Sequence, residues 1–413
     1  MQRNISLKAQ MIWNAAGYLI YMFCQWVITI LVANLGSFHD AGVLSIAMSV
    51  SATFQTIATF GIRNYQVSDI HNEYSDTCYV HFRWLTCGAA FVSCTVFALF
   101  GQSSAEQIFA VILYMIFRLS ENFADVLHGI AQKNKRLDVS GKSLALNSII
   151  SLTTFLLGYL TTKNILVGLG LLALSSVLSV LIYDIKTVRK LADFKLFEKK
   201  TRWRSLAGHT LPLCIYMFLS ATFATIPKLI LEKTHGEEIL GIYSSVFAPA
   251  LLISAMASYL YSPFVPYFAE LYHSKNVKAF LLTFFKLTAA ILALAAIVVV
   301  AAVFLGDFAL SLLFRDKVVG YTYLLLPILI GILINSVFTF LCTIEVVFRD
   351  FTWLLISCGI GAVSELLFTK VMITQFDING ASYGFIIGSA LPTVILLFRI
   401  LWILLFKKRQ KGA

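Results

Sequence analysis

Long apolar runs alternate with short polar breaks over nearly all of the 413 residues. Crossing the hydrocarbon of a bilayer takes about 20 apolar residues in a helix. About twelve runs meet that length: 11–34, 41–62, 81–101, 106–129, 141–161, 165–183, 207–232, 239–264, 279–305, 319–341, 352–373 and 379–405. The pattern predicts an all-α integral membrane protein. Breaks such as 36–40, 102–105 and 374–377 are very short. The break at 306–318 is longer, and Phe308–Phe314 within it is expected to form a short interfacial helix. The leader Met1 to Gln10 has no small-residue cleavage site before the first run, which reads as an uncleaved span.

One run breaks the apolar rule. Arg118, Glu121, Asn122, Asp125 and His128 lie inside 106–129. At about 100° per residue they fall within an arc of roughly 120°, with Leu119, Phe123, Val126 and Leu127 opposite. A charge near the bilayer centre costs about 2.5–3.5 kcal/mol on insertion scales. The stripe must therefore face other helices or a wet cavity, and a wet cavity in a membrane points to transport.

Composition strengthens the membrane assignment: 59% of residues are hydrophobic and 13% charged, against about 25% charged in soluble domains. The net charge of +11 follows from where the basic residues sit. With the N-terminus inside, most of the 32 Lys and Arg fall on the inner side: Arg3, Lys8, Arg63, Arg83, Lys133, Lys135, Arg136, Lys142, the cluster at 186–204, Lys275, Lys278, Lys286, Arg349 and the tail at 407–411. Few fall outside: Lys163, Lys228, Lys233, Arg315, Lys317 and Lys370. This asymmetry predicts both termini in the cytoplasm and accounts for the charge without nucleic acid. The seven cysteines are scattered through spans and inner loops, which argues against disulfides. Cys78 and His81 have a metal-like spacing with no second pair, so no metal site is expected.

The longest polar segment, 184–206, divides the runs into six plus six. It reads either as an amphipathic helix on the membrane surface or as a solvated connector. The expected organisation is an N-terminal six-helix lobe at 1–183, the basic connector at 184–206, and a C-terminal six-helix lobe with a basic tail at 207–413. Weak echoes between the halves (HFRWLT near 81–86, FFKLT near 284–288) suggest parallel repeats around a central cleft.

Candidate site residues follow from charge at membrane depth. Arg118 lies near mid-depth and is suited to an anionic group; Asn122 is four residues on. Glu121 and Asp125 could bind a coupling cation or proton, or hold Arg118 in place as an ion pair. Arg63, beside Asn64, Tyr65 and Gln66, stands at the inner end of the second run, where it could meet a phosphate or mark the membrane edge. Lys228 follows Pro227 and could line an outer vestibule or snorkel outward. Glu345 and Arg349, four apart at the end of the tenth run, are candidates for gating or for a structural ion pair. Arg399 and Glu365 are further charges within runs. Proline within or beside several runs allows bending. Enzyme motifs are missing from the sequence: Gly141-Lys142-Ser143 ends like a nucleotide loop, but Arg136 stands where that motif needs Gly. No catalytic residue and no cofactor are expected.

Several stretches carry a family resemblance. Residues 27–64 read VITILVANLGSFHDAGVLSIAMSVSATFQTIATFGIRN, residues 227–247 read PKLILEKTHGEEILGIYSSVF, and the fourth run exits through HGIAQKNKRLD. With twelve runs in six plus six, these resemble the polysaccharide transporter branch of the multidrug/oligosaccharidyl-lipid/polysaccharide flippase superfamily, the O-antigen and capsule repeat-unit flippases. Asn34 stands where that family often has Arg, and Pro227 where an Asp is common. The resemblance implies a flippase that moves an undecaprenyl-pyrophosphate-linked oligosaccharide from the inner to the outer leaflet of a bacterial cytoplasmic membrane by alternating access. Polysaccharide assembly proteins are then candidate partners. Arg63, Arg118 and Lys228 would meet the pyrophosphate, and Tyr18, Tyr21, Trp26, Tyr216 and Tyr243 could stack sugars. A cation-coupled small-molecule exporter of the same superfamily is the alternative, led by Glu121 and Asp125. A membrane glycan polymerase or ligase would need a sizeable outer loop, which the short breaks do not provide.

Overall fold

A computed structural model describes residues 6–69, 73–101, 104–196, 198, 201–314, 317–348 and 350–405. The described residues are helical almost throughout, in chain order α1 (Leu7–Leu35), α2 (Phe38–Thr59), α3 (Ile62–Ser68), α4 (Asp76–Gly101), α5 (Ala105–Lys133), α6 (Leu137–Thr162), α7 (Ile165–Ser179), α8 (Ile185–Arg189), α9 (Trp203–Tyr261), α10 (Val265–His273), α11 (Val277–Phe314), α12 (Leu325–Phe348), α13 (Phe351–Phe376) and α14 (Asn379–Leu405). Among the described residues, ten stretches are long and apolar enough to cross a membrane. Helix α5 is long enough as well, but Glu106, Arg118, Glu121, Asp125 and Lys133 interrupt its apolar character. Helix α9 runs 59 residues and loses helical geometry at Gly236 (φ 84°, ψ 176°). That φ lies where glycine meets no side-chain penalty, so α9 supplies two spans. The twelve runs of the sequence thus correspond to twelve long helical segments. Phe308–Phe314 forms no separate interfacial helix: α11 continues unbroken to Phe314, because no residue after Gly306 interrupts the helical run.

The chain forms two compact units. The first holds Met1–Gly36 and Val43–Ala221; the second holds Ser37–Gly42 and Thr222–Ala413. In the first, Ser6, Ser104 and Asn164 cap α1, α5 and α7 by accepting a backbone N–H in the first turn. Helices α1 and α6 touch at Gly17 and Gly141, where a Cβ on either residue would run into the partner's backbone. Such close approach through small residues suits helix association in lipid. Helix α5 packs on α4 and α7 and sits in the interior of this unit.

Past α7 the chain makes one π turn, Val180–Asp184, before α8. The connector beyond it is neither a free solvated strap nor a long surface helix. Val188, Phe194 and Leu206 are buried in one cluster with Tyr79, Phe82, Leu127 and Ile130, and Trp203 stacks on Phe82. The first turns of α9 belong to the same unit: Ser205 and His209 hydrogen-bond the Tyr74 hydroxyl at 3.0 and 3.2 Å, and Leu213 fills the space beside Gly61. The division between units therefore falls at Ala221, inside α9, rather than along 184–206.

In the second unit the beginning of α2 packs on α9 just past its break, with Gly42 against Glu237 and Gly241 against Phe38. His39 and Glu237 pair there at 2.6 Å. Helices α13 and α14 form a tight hairpin, turned at Asp377 and closed by the Gly380 N–H donating to the Asp377 carbonyl at 2.9 Å. Helix α11 exposes Ile297, Val303, Phe304, Phe308 and Leu312; an apolar face of this size requires lipid.

Candidate functional site: the charged layer of the first unit

Every polar residue of the α5 stripe has a partner, and α1, α2, α3, α4 and the turn after α7 each supply at least one. Arg118 donates to Glu121 at 2.9 Å and to the Tyr21 hydroxyl of α1, which in turn donates to Glu121 at 3.2 Å. The Arg118 guanidinium also lies 5.2 and 5.7 Å from the ring centres of Tyr114 and Phe117, within cation–π range. Asn122 accepts from Thr59 of α2 at 2.7 Å and donates to the Arg118 carbonyl at 2.8 Å. His128 meets Asp184 at 3.2 Å. The π turn after α7 carries this fully buried Asp184.

Asp125 stands between two arginines. Arg63 of α3 donates to one of its oxygens at 2.8 Å and Arg83 of α4 to the other at 3.0 Å. Arg63 also donates to Gln132 at 3.2 Å. The approach of Arg63 depends on the break between α2 and α3, where Phe60 and Gly61 both have positive φ (48° and 64°). A left-handed pair turns the chain so that α3 packs back on α5. Arg83 is fully buried, and it also donates to the carbonyls of Ala58 and Thr59 at the end of α2. Those carbonyls lack intrahelical donors because α2 ends there. Arg63 and Asp125 are only partly enclosed, with 27% and 26% of their side-chain surfaces exposed.

Arg63, Arg83 and Arg118 thus face Glu121 and Asp125, three guanidinium groups against two carboxylates. One positive charge is in excess, and the arginine nearest to solvent is Arg63. Arg118 and Glu121 are deeper, with 13% and 11% exposed. An arrangement of this kind can take up an anion without assembling a new site, because guanidinium groups bind phosphate through paired N–H donors.

Five of the eight charged or polar residues expected from the sequence therefore meet in one layer: Arg63, Arg118, Glu121, Asn122 and Asp125. Lys228 and Glu345 belong to the second unit. Lys228 holds its ammonium 4.6 Å from the Phe247 ring centre. Glu345 is fully buried, and neither of its oxygens accepts a hydrogen bond. Arg349, like Arg3, Arg315 and the basic tail, lies outside the described residues. Arg399 pairs with Asp350 at 2.7 Å between the rings of Trp353 and Trp402. Of the aromatic candidates, Tyr21 serves the Arg118 pair and Tyr243 is buried; Tyr18 is exposed.

The sequence reading missed Arg83 and Asp184. Arg83 was counted with the inner-side charges because the third run begins at residue 81; α4 in fact begins at Asp76 and buries Arg83 about two turns in. Asp184 sat at the boundary between run and connector and gave no sign of a partner at His128.

Helix number, interior charge and exposed apolar faces define a multi-pass membrane protein. The profile of the family described as "Polysaccharide biosynthesis protein" matches residues 7–272. The chain belongs to that family. It is 26% identical over 318 residues to the "Capsular polysaccharide biosynthesis protein CapF" of Staphylococcus aureus, covering 75% of this chain and 78% of that protein. Two solved structures show the same fold. An inward-facing multidrug resistance MATE family transporter of the MOP superfamily aligns with a TM-score of 0.72 at 13% identity, covering 98% of this chain and 99% of the other. The lipid II flippase MurJ in an inward closed conformation aligns with a TM-score of 0.70 at 15% identity, covering 94% and 87%.

Proposed function

We propose that the protein translocates a lipid-linked oligosaccharide repeat unit, carried on undecaprenyl pyrophosphate, from the cytoplasmic to the outer leaflet of a bacterial membrane for surface polysaccharide synthesis. The observation that carries this reading is the two-arginine grip on Asp125. Arg83 is buried and fixed, so it keeps Asp125 in place. Arg63 is about a quarter exposed and shares its carboxylate with Arg83, so a phosphate can take over Arg63 while Asp125 stays paired. The exchange leaves no buried charge without a partner, which would be the costly step. Arg118 and Asn122 extend the layer toward a headgroup, and Glu121 sets the position of Arg118. The polar headgroup needs such a layer, whereas the polyprenyl tail can stay in lipid.

Family membership and the capsular relative support the polysaccharide substrate. With the basic residues on the inner side, both termini are cytoplasmic and Arg63 opens toward the leaflet where the substrate is made. Alternating exposure of this layer to the two sides completes the cycle. The likeness in fold to a multidrug transporter favours a second reading, a cation-coupled small-molecule exporter with Glu121 and Asp125 as coupling groups. The ion pairs at both acids weigh against it, because each already has an arginine as its cation.

Proteoliposomes with an undecaprenyl-pyrophosphate-linked oligosaccharide in the accessible leaflet test the proposal. Protein-dependent loss of substrate from that leaflet, abolished in Arg63→Ala, is expected. Unchanged leaflet distribution with a folded protein would overturn it.

A further inference from the structure

The second unit buries acid in the opposite way to the first. Glu345 and Glu365 are both fully buried, and none of their four carboxylate oxygens has a hydrogen-bond partner. Glu345 lies close enough to Arg399 to feel its charge. Glu365, at the middle of α13, has no such neighbour. It faces α14 across a seam of Gly380, Gly384 and Gly388, spaced four residues apart on one helix face. A Cβ built on Gly388 would lie 2.9 Å from both Cδ and Oε1 of Glu365, so the carboxyl points into the seam. One turn along, the Thr369 hydroxyl faces Gly384. The Thr369 hydroxyl and that of Ser389, next to Gly388, are buried and also without a hydrogen-bond partner. Phe223 and the Gly388 carbonyl close the seam beside Gly361.

Among the titratable and charged groups on the surrounding elements, Tyr243 is near enough to feel the charge of Glu365, and none hydrogen-bonds its carboxyl. Tyr243 of α9 shares a hydrogen bond with Ser382 at 3.1 Å. Lys228 lies over Phe247, Arg399 pairs with Asp350, and Asp377 pairs with His235 at 2.7 Å. Lys370 is exposed at the far end of α13, and Tyr383 contacts Phe376. An ionised carboxylate in these surroundings would be a buried charge with no hydrogen bond and no counter-cation among the described residues, which proteins avoid by neutralising the group.

We propose that Glu365 is a proton-binding site: its carboxyl is protonated while α13 and α14 are packed, and its proton passes to water as the seam opens. Only an O–H bond breaks, and the carboxylate left behind is hydrated in the opened seam. This extends the transporter reading by assigning proton coupling to the second unit. The test needs no substrate, so it fails separately from the flippase reading.

Purified full-length protein in detergent is titrated by infrared spectroscopy, and its thermal unfolding is followed over the same pH range. Wild type is expected to lose one protonated-carboxyl band as pH rises, with a falling unfolding midpoint. Glu365→Gln, which mimics the protonated form, should lack the band and show a smaller fall of the midpoint with rising pH than wild type. Glu345→Gln should retain the Glu365 band. Should Glu365→Gln fail to fold, hydrogen exchange in wild type decides: α13–α14 amides should lose protection as pH rises, beyond the intrinsic rate. A band unchanged in Glu365→Gln, or seam protection independent of pH, would overturn the proposal. So would a carboxylate at every pH with a midpoint raised by sodium ions, which would make the seam a metal-cation seat.

Discussion

Asp125→Asn is the most informative perturbation of the charged layer. The carboxylate balances two guanidinium groups at 2.8 and 3.0 Å, and one of them, Arg83, has no exposed surface. Removing one member of a buried ion pair costs about 3–5 kcal/mol, because the other charge stays behind uncompensated. Two terms reduce that figure here. Arg83 keeps its bonds to the carbonyls of Ala58 and Thr59, and the Asn side-chain oxygen still accepts one N–H. The expected loss is therefore at the lower end, about 3 kcal/mol. Arg63→Ala is the matched control. Asp125 keeps Arg83, and the lost pair is a quarter exposed, so the cost in stability is about 1 kcal/mol or less. A charge-assisted hydrogen bond contributes about 1.5–3 kcal/mol, so losing the Arg63 contact should weaken headgroup binding roughly 10- to 100-fold. Thermal unfolding in detergent measures the first quantity, and competition by pyrophosphate-bearing lipid against a fluorescent analogue measures the second. The two variants should separate: Asp125→Asn loses stability, Arg63→Ala loses binding. A stable Asp125→Asn protein would refute the claim that Arg83 depends on this carboxylate. Normal binding by Arg63→Ala would refute the headgroup role.

Other expectations follow from single contacts. Tyr21→Phe removes the hydroxyl that Arg118 and Glu121 share; about 1 kcal/mol of stability should be lost, read as a lowered unfolding midpoint, with the Arg118–Glu121 pair intact. Gly17→Leu places a side chain where the Gly141 backbone lies; α1 and α6 should separate, and size-exclusion chromatography should show loss of monodisperse protein. Asp69, between α3 and α4, accepts from the N–H groups of Glu73 and Tyr74 and from the Tyr79 hydroxyl. Burial opposes its ionisation, but these donors and nearby Lys133 outweigh it and hold its carboxyl below the usual range. Its contribution should be complete above the ordinary Asp value of about 3.9 and should fade as pH falls through the depressed value. The stability gap between wild type and Asp69→Asn should then close in acid, and a gap constant with pH would refute that account.

Helices were legible because their signal is local. Each long apolar run carries its own length and flanking charges, so the long helices begin and end within several residues of the runs, except at α11. The site was legible only where partners are neighbours in sequence. Arg118 and Glu121, three apart, share a helix face before any tertiary structure exists. Arg83 and Asp125 are 42 residues apart and His128 and Asp184 are 56 apart; no periodicity within one helix relates them. The π turn compounds the difficulty, since an extra residue in a helical turn shifts every later side chain and Asp184 lies within it. Hydropathy also misled at Arg83, because a charge near the end of an apolar run reads as the membrane edge whether it snorkels or turns inward.

The stripe on α5 looked anomalous because five polar residues share one face of a membrane helix. Its resolution is that α1, α2, α3, α4 and the π turn each bring one complement, so its charges form a matched lattice. A matched lattice holds its geometry and presents a steady excess positive charge, which suits recognition of an anion. It does not suit proton exchange, since protonating Glu121 or Asp125 would release an arginine into the interior. Glu365 has the reverse properties: protonating it releases nothing, and deprotonating it strands a charge in the α13–α14 seam. Anion recognition and proton exchange make opposite demands on buried charge, and under the two proposals each falls to a different compact unit.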